Sequence, residues 1–248
     1  MSEPTPSLPT ALAGRVIDRI AEHFGLEEVS GPSGPHMTLT SPMSPEPVGH
    51  VRVLRGGPIS RLVNVTMTVP PIGLDSHMVF AFTGEDDGRP HFTVDAVKAG
   101  PKHAFHLDLV PRADLGANLA YMDAVYGPLT EVRERALEID GLERAQISPR
   151  QWAVMSPWMM AHRTTEQAFV KVGEVVDAYL GHWIGLVDGG LPAEATEGIV
   201  GASFAERDRA NRSILFDPEV DPVWSQVDRL LGTTVSERIR GVLKGEAL

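Results

Sequence analysis

The chain has 248 residues, and 22 Lys+Arg against 33 Asp+Glu give a formal charge of −11 with the nine histidines neutral, a balance that excludes a nucleic-acid binder. An apolar share of 42% with 22% charged residues is that of a globular domain with a sizeable core. With no cysteine there is no disulfide, thiolate metal site, cysteine-ligated cluster or cysteine nucleophile, so any redox chemistry draws its electrons from elsewhere.

Residues 1–9 contain three prolines and read as a loose arm ahead of a single domain over 10–248. They show no basic segment followed by an apolar one, and no later window offers about 18 uninterrupted apolar residues, so a cytoplasmic protein that does not enter membranes is expected. Thr10 is placed to cap a helix whose apolar residues Leu12, Val16, Ile17, Ile20 and Phe24 recur at helical spacing, and Gly25 stops it. From 27 to 111 the texture changes to short runs rich in Val, Thr, Phe and Leu at 35–40, 49–55, 59–69, 77–83, 90–98 and 103–110. No helix-length segment separates them, which favours a meandering antiparallel sheet over parallel crossovers. Helical periodicity returns in 116–126, 128–139, 165–186, 192–214 and 222–243. This order predicts an α+β fold, a three-layer α/β/α sandwich whose central antiparallel sheet is flanked by helices.

Among candidate residues, Asp95 stands in the middle of a predicted strand, and alternation puts His91, Thr93, Asp95 and Val97 on one face. Aspartate is a poor strand former, so it needs a polar pocket, a hydrogen-bond partner or simply an exposed face. His106 and Asp108 share the polar side of the next strand. His103 and His106 point to opposite faces, which argues against a metal site there. Arg207, Arg209 and Arg212 form a basic island, suited to carboxylates or to an acidic partner but equally to a solvated helix face. The run from Val154 to Met160, with Met155 and Trp158, reads either as a platform for a flat ligand or as core.

The run Pro90-His-Phe-Thr-Val-Asp95, the Gly-Pro turn at 100–101, the stretch from His106 to Leu115 and Tyr121-Met-Asp-Ala-Val-Tyr126 resemble red chlorophyll catabolite reductase, a relative of the ferredoxin-dependent bilin reductases. Ile147-Ser-Pro149, Met155-Ser-Pro157 and the segment Glu206 to Arg212 continue the likeness. The resemblance implies a linear tetrapyrrole held between the sheet and the C-terminal helices. It implies no bound metal or flavin, electrons arriving singly from ferredoxin, and protons supplied by Asp or His side chains. Carried over by motif, the catalytic groups fall on Asp95, Asp208 and, in the preceding strand, near His77. The ligand would meet His91, His106, Arg207, Arg212, Met155 and Trp158. The family often has a glutamate on the strand that here reads Leu62 to Thr68, where only Asn64 and Thr66 are offered to the ligand. Neither donates a proton readily, so the same chemistry on a specialised metabolite, or a non-catalytic tetrapyrrole carrier, stays open beside the leading reading. A homodimer is also left open.

Overall fold

The computed structural model describes residues 5–32, 34–85 and 88–246; part of the expected arm, residues 1–4, lies outside them. Helix α1 (Leu8–Phe24) starts two residues before Thr10, because Ser7 is its cap: the Ser7 hydroxyl oxygen accepts the Thr10 N–H at 3.2 Å. Pro9 stands in the first turn, where no N–H is required. The strands that follow are β1 (Glu27–Glu28), β2 (Met37–Ser41), β3 (Ser44–Gly56), β4 (Ile59–Val69), β5 (Leu74–Thr83), β6 (His91–Ala99) and β7 (Lys102–Val110). Next come α2 (Leu119–Tyr126), α3 (Thr130–Leu137), β8 (Leu142–Arg144), α4 (Pro149–Val154) and β9 (Met160–Thr164), and then α5 (Glu166–Gly189), α6 (Ala193–Thr196), α7 (Phe204–Leu215), α8 (Val223–Leu231) and α9 (Thr233–Lys244).

Among the described residues the strands form one antiparallel sheet in the order β1-β3-β4-β5-β6-β7-β9-β8, with β2 also paired to β3. Gly100 takes φ +59 in the two-residue turn between the paired residues Ala99 and Lys102, a conformation open to glycine without a Cβ clash. The sheet is covered on both faces. On one, α1 and α5 pack Val16, Ile20, Val176 and Trp183 against Val79, Phe92, Val94 and Leu107. On the other, Phe216, Trp224, Ile239 and Val242 of the C-terminal helical layer meet Val51, Val63, Val65 and Phe80. Each fully buried side chain of this size stabilises by roughly 1.5–3 kcal/mol. This is the expected α+β sandwich, and its central strands β4 to β7 occupy nearly their predicted ranges.

The long predicted helices are more divided than expected. The stretch 192–214 becomes α6 and α7, parted around Gly198 and Gly201 at φ 71 and 115, and 222–243 is split at Gly232, φ 85. The helix expected over 116–126 begins only at Leu119. Strands β8 and β9 extend the sheet through a region where no strand was predicted. No helix among the described residues is long and apolar enough to cross a membrane.

Candidate active site

The register of β5, β6 and β7 sorts their side chains. His77, Val79 and Ala81 share the α1/α5 face with Phe92, Val94, Ala96, Leu107 and Leu109. Met78, Phe80, His91, Thr93, Asp95, His106 and Asp108 face the C-terminal helices, so His91 and Asp95 do lie on the same side. On this second face a cavity of about 230 Å³ remains between the layers. The sheet supplies Phe80, Asp95, Val97 and His106; α4 supplies Gln151, with Met155 following it; Phe216, Asp221 and Trp224 close the opposite wall.

Its polar centre is a cross-strand pair. Asp95 is the register partner of His106, and Asp95 Oδ2 lies 3.7 Å from His106 Nδ1. The other ends, Asp95 Oδ1 and His106 Nε2, are buried without a hydrogen-bond partner among the described residues. Unpartnered polar atoms at a cavity wall are where a ligand's own polar groups are expected to bind. Burial works against the charged imidazolium, but the carboxylates of Asp95, Asp108 and Asp221 outweigh it and hold the His106 pKa above the usual histidine range. Asp108, fully buried, accepts the Ser156 N–H at 2.8 Å and its hydroxyl at 2.5 Å. Burial pushes its pKa up to about 7 in spite of His106 and these bonds.

A separate buried cluster surrounds Asp208. Its Oδ1 accepts from His91 Nε2 at 2.6 Å, its Oδ2 lies 2.8 Å from Arg212 Nη2, and Arg112 Nε is 3.8 Å away. The Thr83 backbone N–H donates to His91 Nδ1 at 3.1 Å, which leaves the proton of the neutral ring on Nε2, facing Asp208. Burial holds the His91 pKa down at about 4. Burial also opposes ionisation of Asp208, but His91, Arg112 and Arg212 together bring its pKa to about 2. Asp208 and Arg212 thus form an i,i+4 pair in the interior, not on a solvated surface.

Of the sequence candidates, the structure brings Asp95, His106 and Met155 to the cavity. His91, Asp208 and Arg212 belong to the ion cluster and not to the cavity wall. Five candidates need correcting. His77 is the register partner of Ala96, while Met78 is the partner of Asp95; a step of one residue along a strand reverses the face, so His77 points away from Asp95. Asn64 and Thr66 share that far face, where Thr66 Oγ1 is 3.2 Å from Asn64 Oδ1 and 3.3 Å from His77 Nδ1. His77 Nε2 meets Asp75 at 2.9 Å and Thr10 at 3.1 Å, a polar knot beneath α1. On the side of the C-terminal helices β4 presents Arg61, Val63, Val65, Met67 and Val69, and none of them lines the cavity. Arg207 donates to the Pro111 carbonyl, and Trp158 stacks on Tyr126 with its Nε1 donating to Thr130, so neither lines the cavity.

Sequence reasoning missed Gln151, Phe216, Asp221 and Trp224. The Ser148-Pro-Arg-Gln151 capping box and the Asp221-Pro222 helix start were visible signals of local structure. Nothing in the spacing says that these two helix starts meet over Asp95.

No protein-family model matches the chain, and no curated protein matches it. Its fold is shared with phytochromobilin synthase from tomato, solved in complex with biliverdin, at a TM-score of 0.75 and 16% sequence identity, covering 96% of this chain and 83% of that one. At that identity the likeness is one of fold.

Proposed function

We propose that the protein reduces a conjugated double bond of a linear tetrapyrrole or a similarly flat molecule bound in this cavity, with electrons delivered one at a time by reduced ferredoxin. The carrying observation is the cavity wall where Asp95 Oδ1 and His106 Nε2 stand buried and unpartnered. The ligand class is supported by the fold shared with a protein solved holding biliverdin. Two reduced ferredoxins each give up one electron, and two protons add with them across one double bond. The first electron raises the basicity of the conjugated system, and a proton delivered at once prevents the electron's return. The Asp95–His106 pair is the proton source, with His106, from the following strand, in the role that the resemblance gave to His77 on the preceding one. The proposal includes no resident flavin or metal; stoichiometric metal or a flavin band in reconstituted protein would count against it.

A second reading keeps this chemistry for a smaller substrate. It is favoured by the cavity volume of about 230 Å³, below the roughly 300–1,000 Å³ usual for ligand pockets. An anaerobic assay with reduced ferredoxin, biliverdin and smaller conjugated molecules tests both. Loss of the bilin's visible band supports the leading reading, and turnover of the smaller molecules alone supports the second. A spectral shift that never bleaches would make the protein a carrier.

A further inference from the structure

We propose that Asp221, in the loop that starts α8, is the second proton donor of this cavity, acting across it from the Asp95–His106 pair; this rests on the reductase reading above. Asp221 lines the cavity on the side of the C-terminal helices, whereas Asp95 and His106 line it from the sheet. It is close enough to both for each to influence its charge. Its Oδ1 accepts the Val223 N–H at 3.0 Å and the Gln151 side-chain N–H at 3.1 Å, which fixes the carboxyl's orientation. Both hydrogen bonds end on Oδ1, so among the described residues Oδ2 is the oxygen left for a ligand.

A general acid must hold its proton until the substrate asks for it. Burial, aided by the Asp95 carboxylate, raises Asp221 above the usual carboxylate range against the opposing effects of Val223 and His106. Asp208, the acid suggested by motif, has the opposite environment. Both its oxygens face cationic or donor groups that keep it ionised, and it does not line the cavity. Addition of two electrons and two protons to a flat ligand needs a proton for each new C–H or N–H bond. One comes from the sheet side; Asp221 delivers the other from the helix side and is reprotonated from solvent.

The test compares the parent with Asp221→Asn, which keeps the side chain's size and its Oδ1 acceptor. Biliverdin affinity, read by visible titration without reductant, should stay within about threefold. Anaerobic turnover with reduced ferredoxin should fall by about 10²–10⁴, as on loss of a general acid, and a radical should accumulate by electron paramagnetic resonance. Asp221→Glu, which restores a carboxyl, should recover at least part of that loss, and a melting scan of each variant separates misfolding from lost chemistry. If Asp221→Asn reduces biliverdin within threefold of the parent and to the same product, Asp221 is not the donor while the reductase reading stands. If the parent neither binds nor reduces any of the bilins or smaller molecules, both fall together.

Discussion

At the scale of single residues, the cavity is a contest between burial and charge, and each buried acid settles it differently. Asp95→Asn removes the carboxylate that faces the His106 proton while retaining shape; bilin binding should survive and ferredoxin-driven turnover drop by about 10²–10⁴. His106 is held protonated by the carboxylates around it, so a proton-dependent rate should decline as pH rises past its elevated pKa. In His106→Gln that alkaline limb should flatten; a profile unchanged from the parent would remove His106 from the proton path. Asp108 gives the opposite lesson for stability. Its pKa is about 7 when folded, against 3.8 ordinarily. Below about pH 4 both the folded and unfolded chains hold this proton. Between about 4 and 7 the unfolded chain releases it first, so the stabilisation is lost as pH rises, by on the order of a few kcal/mol. Chemical denaturation at several pH values should show Asp108→Asn gaining on the parent up to about pH 7 and level beyond. Asp95 and His106 were legible in the sequence because strand alternation reveals a face. Asp221 was not, because its importance comes from a meeting of the α8 start with β6 that no local period records.

At the scale of elements, α7 is tied to the sheet mainly through charge. Its capping box joins Ser203 and Glu206, and two residues further Asp208 reaches His91 of β6 while Arg212 reaches the Lys244 carbonyl at the end of α9. Asp208→Ala would remove a buried carboxylate that Arg212 and Arg112 both face, which costs about 3–5 kcal/mol when a buried ion pair loses one partner. Thermal unfolding should show a matching fall in Tm; a loss under about 1 kcal/mol would mean that the guanidiniums find other partners. The strands were legible for a plain reason: β4 to β7 are largely buried, rich in Val, Phe, Leu and Thr, and bounded by Gly and Pro. The divisions inside the C-terminal helices were less so. Their apolar period runs through Gly198, Gly201 and Gly232, and only the left-handed backbone at these residues ends one helix and begins another. His77 was misplaced for a related reason, since a motif match uncertain by one residue selects the wrong face of a strand.

At the scale of the whole molecule, the sheet separates two interiors of unequal quality. The α1/α5 side holds one large apolar cluster beside the polar knot at His77, whereas the C-terminal side contains the cavity and two clusters of ionisable groups. Native-state hydrogen exchange should therefore find its slowest amides in the middle of β5, β6 and β7, with α8 and α9 opening at lower free energy. Equal protection in α9 and β6 would contradict this. The ties at the end of α9 also bear on how the protein is made. Arg61 of β4 donates to the Leu243 carbonyl at 3.0 Å and Arg212 to that of Lys244 at 2.7 Å. A ribosome that has finished β7 has released the Asp95–His106 wall, but not the carbonyls that secure the layer opposite. During synthesis that wall faces open water, and the nascent chain should gain protease resistance around 91–110 only after residue 244 has emerged. The cavity then closes only once α9 is in place, and a ligand present in the cell can bind only after that.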